Sequence, residues 1–137
     1  MIPEVRYRAE RTGVAGFVEA WEALGGTVEH VDQFSGEFGP GCVRARAAVA
    51  QTGSIVIDSR TSPRADSLLP ERCAFVVDAT DIVDTPADVL RLRARWWPDG
   101  LPSQIVLVTG PSRSADIEMT LTVGVHGPGR VHAIIVG

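Results

Sequence analysis

The sequence contains no lysine, because all 13 residues in its Lys+Arg total are arginine. Schiff-base enzymes and P-loop nucleotide sites each depend on a lysine, so both classes are excluded. Cysteine is also scarce: Cys42 and Cys73 stand in no CxxC or similar spacing. Two thiolates cannot hold a four-thiolate iron–sulfur cluster within this chain, and the spacing does not match a Cys/His zinc site. We therefore expect no metal and no cofactor.

Long apolar runs and an excess of positive charge are missing as well. The first ten residues, MIPEVRYRAE, have no apolar core of a signal peptide, and no apolar stretch approaches the ~20 residues that cross a bilayer. The formal net charge of −4 gives no broad basic face. We expect a cytoplasmic protein with neither a membrane nor a nucleic-acid partner.

The length of 137 residues and the apolar share of 45% are typical of one globular domain spanning the whole chain. Apolar residues at helical spacing, caps and breakers predict helices over Thr12 to Leu24, Cys42 to Gln51, Thr85 to the residue before Pro98, and Ala115 to Val125. Short apolar or alternating runs predict strands over Thr27 to Val31, Ser54 to Ile57, Ala74 to Val77, Ile105 to Val108, and Val131 to Val136. Mostly apolar strands separated by helices predict an α/β fold with a mainly parallel sheet.

Parallel sheets bind ligands beyond the carboxyl ends of their strands. This rule places three groups of polar residues at one ligand edge. They are Asp58, Ser59, Arg60, Thr61, Ser62 and Arg64 after the second strand, Asp78, Thr80 and Asp81 after the third, and Thr109, Gly110, Ser112, Arg113 and Ser114 after the fourth. Arginines 60, 64 and 113 facing one cleft would suit a small anionic metabolite.

The segment TGPSRSADIE, Thr109 to Glu118, supports three interpretations. Its glycine and serines at a helix start could hold an anion beside Arg113. Equally, a serine could simply cap the helix, with Asp116 and Glu118 complementing the helix dipole. Those two carboxylates would repel a phosphate, and the third interpretation gives one of them a catalytic role.

Three blocks carry a family resemblance: AAVAQTGSIVIDS, SLLPERCAFVVDATDIV and TGPSRSADIEMTLTVGVHGPGRVHAIIV. They resemble the LUD domain of LutC-type lactate-utilisation proteins, over roughly Cys42 to Val136. The resemblance implies a three-layer α/β/α fold similar to the sugar-phosphate isomerase and coenzyme A transferase-like superfamily. It also implies iron–sulfur partner subunits, with which such proteins oxidise L-lactate to pyruvate.

The sequence departs from that family between TVEHV and AAVAQTGS, where about ten residues stand in for additional strand and helix segments. We expect an internal deletion near residues 32–42, and a second copy of the chain could supply the lost surface in a homo-oligomer. Three functions stay open. The chain is an accessory subunit for lactate oxidation, a small anionic-metabolite binding protein or transferase-like enzyme, or a shortened non-catalytic paralogue.

Overall fold

The computed structural model describes residues 11–39, 41–60, 72–111, 114–116 (backbone only) and 129–137. The helices in these residues are α1 (Gly13–Ala23), α2 (Pro86–Arg91) and α3 (Arg93–Trp96), with a 3₁₀ turn at Ala79–Asp81. The strands are β1 (Thr27–Val31), β2 (Cys42–Arg44), β3 (Ala47–Val49), β4 (Ser54–Asp58), β5 (Arg72–Asp78), β6 (Ile82–Val83), β7 (Ile105–Val108), β8 (Ser114–Asp116) and β9 (Arg130–Val136). No helix among these residues is long and apolar enough to cross a membrane.

The strands form two sheets, which we call sheet A and sheet B. Sheet A has the order β1-β9-β5-β2, and all of its pairings are parallel. Sheet B has the order β6-β3-β4-β7-β8. Three of its four pairings are antiparallel, and only β3 with β6 is parallel. The α/β class and a mainly parallel sheet A are therefore confirmed, whereas the three-layer arrangement stays a prediction.

The main core lies between the two sheets and is completed by helix α1. Phe75 and Ile135 from sheet A share this cluster with Ile55 from sheet B. Helix α1 contributes Phe17 and Trp21, whose rings stack at 5.5 Å. The Trp21 indole N–H also donates to the Thr27 carbonyl at 2.9 Å, which ties the helix to the start of β1.

The opposite face of sheet B packs against helices α2 and α3. Val56 and Ile105 of the sheet meet Val89, Trp96 and Trp97 in a second apolar cluster. Sheet B is thus covered on both faces, which explains why all five residues of β4 are buried. The alternating pattern expected of a half-exposed antiparallel strand is absent from β4 for this reason.

Two sequence predictions of helix are wrong. The segment Cys42 to Gln51 forms strands β2 and β3 instead of an amphipathic helix. Its alanines are buried between neighbouring strands, and the Arg46 side chain donates to the buried Asp58 carboxylate at 2.8 Å. The helix predicted from Ala115 begins inside β8, which pairs antiparallel with β7. The remainder of that predicted helix, residues 117–125, lies outside the described residues.

The stretch between β1 and β2 connects the two outer strands of sheet A, which run in the same direction. It therefore carries the chain from the carboxyl edge of the sheet back to the amino edge. Phe38 in this stretch lies against the Arg44 guanidinium, 4.8 Å from the ring centre, and against Phe34 at 5.1 Å. The structure thus joins β1 to β2 through a short crossover, and the internal deletion near residues 32–42 stays a prediction.

Candidate functional site

Two of the quoted sequence blocks meet at one end of sheet B. The residues Gln51–Ser54 lead into β4, and Thr109-Gly110 follow β7. Because β4 and β7 run antiparallel, with Ile55 opposite Val108, the start of one strand lies beside the end of the other. We call this group, Gln51 to Ser54 with Thr109 and Gly110, the hydroxyl site.

Three hydroxyl groups form a chain across the hydroxyl site. The Thr52 and Ser54 oxygens are 2.7 Å apart, and the Ser54 and Thr109 oxygens are 2.8 Å apart. Each hydroxyl carries one proton, so the two hydrogen bonds use two of the three protons. The third proton, on Thr52, Ser54 or Thr109 according to which oxygens donate, is not used by these two hydrogen bonds.

An unsatisfied acceptor accompanies these donors. The Gln51 side-chain oxygen is buried and has no hydrogen-bond partner among the described residues. The Gln51 backbone N–H donates to the Asp84 carbonyl at 3.0 Å, which fixes the residue in place. Leaving a buried amide oxygen without a donor costs roughly 1–3 kcal/mol. A bound molecule with an O–H or N–H group would recover this cost.

Two glycines hold the hydroxyl site against the end of helix α1. Gly53 has φ +66°, and a Cβ atom there would lie 2.8 Å from the Ala20 carbonyl carbon. Gly110 has φ +82°, and its Cβ would lie 3.0 Å from the Leu24 Cβ. Both backbones thus approach α1 more closely than a side chain allows, so the polar groups beside them have a fixed position.

The structure separates two of the groups that the sequence places at one edge. Arg60 follows β4 and lies at the far end of sheet B from Thr109, because β4 and β7 are antiparallel. Its guanidinium donates to the Gly100 carbonyl at 3.0 Å, and its backbone N–H donates to Asp58 at 3.1 Å. The prediction that Arg60 and Thr109 share one ligand edge is wrong. That either residue binds a ligand stays a prediction.

The other predicted site residues divide between two cases. Arg64, Ser112, Arg113 and Glu118 lie outside the described residues, and Ser114 and Asp116 are described only as backbone in β8. Because those residues form a strand, the helix start predicted as an anion cradle or capped helix does not occur at Ser114–Asp116.

The polar group after the third predicted strand, which contains Asp78, Thr80 and Asp81, has a structural role through Asp81. The Asp81 carboxylate accepts from the Arg95 guanidinium at 2.9 Å and from the Trp96 indole at 3.1 Å. This carboxylate thus fastens helix α3 to the turn after β5. Among the described residues, no group of three His, Cys, Asp or Glu side chains could hold a metal ion.

Comparison with known proteins decides the family. The family model of the LUD domain matches residues 17–136. The chain belongs to the LUD domain family. Within this LUD domain, the match includes both strands and both loops of the hydroxyl site.

Proteins named Lactate utilization protein C are similar to this LUD domain. The one from Bacillus licheniformis is 36% identical over 85% of this chain and 49% of its own length. The one from Halalkalibacterium halodurans is 34% identical over 94% of this chain and 59% of its own. The one from Bacillus subtilis is 36% identical over 70% and 41%. The chain therefore spans about half the length of the curated relatives it matches.

A solved structure supports the fold of this LUD domain. The crystal structure of a DUF162 family protein from Deinococcus radiodurans matches with a TM-score of 0.64, covering 90% of this chain and 96% of that one. The two sequences are 19% identical, so the likeness concerns the fold alone.

Sequence reasoning missed two residues of this LUD domain and misplaced a third. Gln51 and Ser54 stand in the quoted block AAVAQTGS, but that block was interpreted only as a helix, a turn and a strand. Asp58 was placed in a ligand loop, whereas it is fully buried and accepts from the Trp97 indole at 2.5 Å. The signal for its burial was present, since Asp58 directly follows a fully apolar run.

Proposed function

We propose that this LUD domain is an accessory component of an L-lactate utilisation system and acts with iron–sulfur partner subunits that oxidise lactate to pyruvate. The observation that carries the proposal is its similarity to relatives named Lactate utilization protein C. The two cysteines of these 137 residues cannot ligate a four-thiolate cluster, so the proposal assigns the cluster to the partners.

The test is genetic and biochemical. Deleting the gene in its host should stop growth on L-lactate as sole carbon source and leave growth on pyruvate unchanged. A tagged full chain that restores growth should co-purify with a brown protein that contains iron and acid-labile sulfide. Normal growth of the deletion strain on L-lactate would contradict the role in lactate utilisation. Recovery of the tagged chain without iron would contradict the proposed partners.

A second candidate function is the binding of a small anionic metabolite at the hydroxyl site, in a binding protein or a transferase-like enzyme. The observations in its favour are the buried Gln51 oxygen without a partner among the described residues and the chain of hydroxyls that begins at the next residue, Thr52. Arg113, which follows Thr109 in the chain by four residues, would supply the positive charge.

Thermal shifts test this second function. The panel contains L-lactate, pyruvate, phosphate, a sugar phosphate and coenzyme A. A ligand at one hundred times its Kd stabilises the fold by about 2.7 kcal/mol, which raises Tm by several degrees. The shift should shrink in Thr109→Val and Arg113→Ala and persist in Arg93→Ala, a matched arginine exposed on helix α3. An unchanged Tm across the panel would favour the shortened, non-catalytic paralogue.

A further inference from the structure

A cavity of about 230 Å³ opens at the amino-terminal edge of sheet A. It lies where strands β1, β5 and β9 begin, the edge opposite to the one at which parallel sheets usually bind ligands. The residues that line it are Thr27, Gly41, Arg72, Cys73, Ala74, Arg130, Val131 and His132.

Two arginines stand side by side at the entrance of this cavity. Arg72 begins β5 and Arg130 begins β9, and the two residues face each other in the parallel register. Adjacent strands are about 4.8 Å apart, so the two arginine side chains start from neighbouring backbone positions on the same face of the sheet. Both residues are exposed, and within the described part of the chain neither guanidinium has a hydrogen bond or an ion pair.

Other described arginines behave differently. Arg46 pairs with Asp58, Arg91 with Asp88, and Arg95 with Asp81. The cavity therefore has two guanidinium groups whose donors are available, whereas the helical arginines use theirs within the fold. Two neighbouring guanidinium groups can each donate two hydrogen bonds to the oxygens of one phosphate or carboxylate group.

A third polar group, the Thr27–His132 pair, also lines this cavity. His132 is opposite Thr27 in the β1–β9 register, and its Nδ1 is 2.7 Å from the Thr27 hydroxyl oxygen. Its Nε2 is 3.1 Å from a Glu29 carboxylate oxygen, and Glu29 does not line the cavity. The Glu29 carboxylate accepts from the Nε2–H group and so orients the imidazole, which leaves Nδ1 as the acceptor of the Thr27 proton in this tautomer. The Thr27 hydroxyl oxygen can still accept a hydrogen bond from a bound molecule.

We propose that this amino-terminal edge binds a small molecule through a phosphate or carboxylate group, held by Arg72 and Arg130 beside the Thr27–His132 pair. The volume lies below the ~300–1,000 Å³ of common ligand sites, which favours a metabolite of a few carbon atoms over a nucleotide. The site is separate from the hydroxyl site, which lies in sheet B, and it does not depend on the proposed function.

Calorimetric titration of the purified full chain tests the site. The probes are inorganic phosphate and pyruvate, with 1,2-propanediol as an uncharged control of similar size. We expect saturable binding of at least one anion and none of the diol. Tighter binding of phosphate would assign a phosphate group to the ligand, and tighter binding of pyruvate would assign a carboxylate.

Matched variants locate the binding. Arg72→Gln and Arg130→Gln should each weaken the affinity at least tenfold, because each replaces one of the two charged guanidinium groups with a neutral amide. Arg93→Gln removes an exposed helical arginine and should leave the affinity unchanged. All three arginines are exposed, so circular dichroism should show the same fold in these three variants.

Three results would overturn the proposal. The first is the absence of saturable binding of either anion to the wild-type chain. The second is an affinity that stays the same when both cavity arginines are replaced. The third is loss of binding in Thr109→Val but not in Arg72→Gln, which would move the anion to the hydroxyl site.

Discussion

The close contact between Gly53 and helix α1 makes a quantitative prediction. Gly53→Ala has two costs, since the backbone has φ +66° and the new Cβ would lie 2.8 Å from the Ala20 carbonyl carbon and 2.9 Å from the Trp21 nitrogen. The left-handed conformation costs an alanine roughly 1–2 kcal/mol. Overpacking against a helix backbone, which cannot rotate away, adds about 1–3 kcal/mol.

Gly13→Ala separates these two costs. Gly13 has nearly the same φ, +65°, but nothing lies within 4 Å of its would-be Cβ. It should therefore pay the conformational cost only, roughly 1–2 kcal/mol. Gly53→Ala should lose about 2–5 kcal/mol in total, so the two variants should differ by about 2 kcal/mol.

Urea unfolding followed by tryptophan fluorescence measures both losses, because Trp21 is fully buried. The slope of the free energy of unfolding against urea should be the same in wild type and variants, which confirms that only stability has changed. In a domain of this size each kcal/mol lowers Tm by roughly 3–5 °C. Equal stabilities of the two variants, within about 0.5 kcal/mol, would refute the argument that α1 leaves no room at Gly53.

Three other perturbations follow from the described contacts. Asp58→Asn removes the charge of a fully buried carboxylate that accepts from the partly buried Arg46, and it should lower the free energy of unfolding by about 2 kcal/mol. The exposed Asp99→Asn should change it by less than ~0.5 kcal/mol in the same urea titration. A hydrogen bond from the arginine one turn on lowers the pKa of Asp88 below its usual 3.8, so its stabilisation is present above that pH and is lost as the pH falls through the lowered pKa. Asp88→Asn should therefore flatten the acid limb of the stability curve, and an unchanged limb would contradict this. Burial, and secondarily the charge of Cys42, raises the pKa of Cys73 to about 12, so a thiol reagent at pH 8 should modify Cys73 only on unfolding, with partly exposed Cys42 reacting first.

Helix ends were predicted correctly where the sequence contains a local capping or breaking signal. Thr85-Pro86 with Asp88 indicates a helix start, and the structure has the corresponding capping box, with the Asp88 N–H donating to Thr85 at 3.2 Å and the Asp88 carboxylate accepting from the Thr85 N–H at 3.1 Å. The glycines at 25 and 26 likewise follow the end of α1. In these cases the deciding contacts lie within a few residues, so the sequence alone contains the information.

The helix predicted over Cys42 to Gln51 was wrong because its deciding contacts are distant in the sequence. Its alanines favour a helix by intrinsic propensity, but the contacts that decide its conformation come from β4, β5 and β6. Tertiary pairing overrides propensity when a short segment can complete two sheets at once, as β2 and β3 do. Periodicity within ten residues does not report those distant partners.

The hydroxyl site shows a similar limit. The sequence pattern indicates Thr109 and Gly110 as site residues but groups them with Arg60, because it predicts a mainly parallel sheet in which both follow strand ends. Strand direction depends on how β4 and β7 pair across about fifty residues, and their antiparallel pairing brings Ser54 to Thr109 instead. The sequence showed which polar residues follow a strand, but it did not show which of them lie next to one another in the fold.

The position of β9 also has a consequence for synthesis. β9 lies between β1 and β5 in sheet A, and it joins Thr27 to His132 across 105 residues of chain. At roughly 5–20 residues per second, a ribosome needs on the order of 5–20 s to make that interval. Throughout this time the nascent β1 has no neighbouring strand, and β5 has only the three-residue β2. Sheet A can therefore assemble only after β9 has been synthesised, and β1 stays without its neighbouring strand until then.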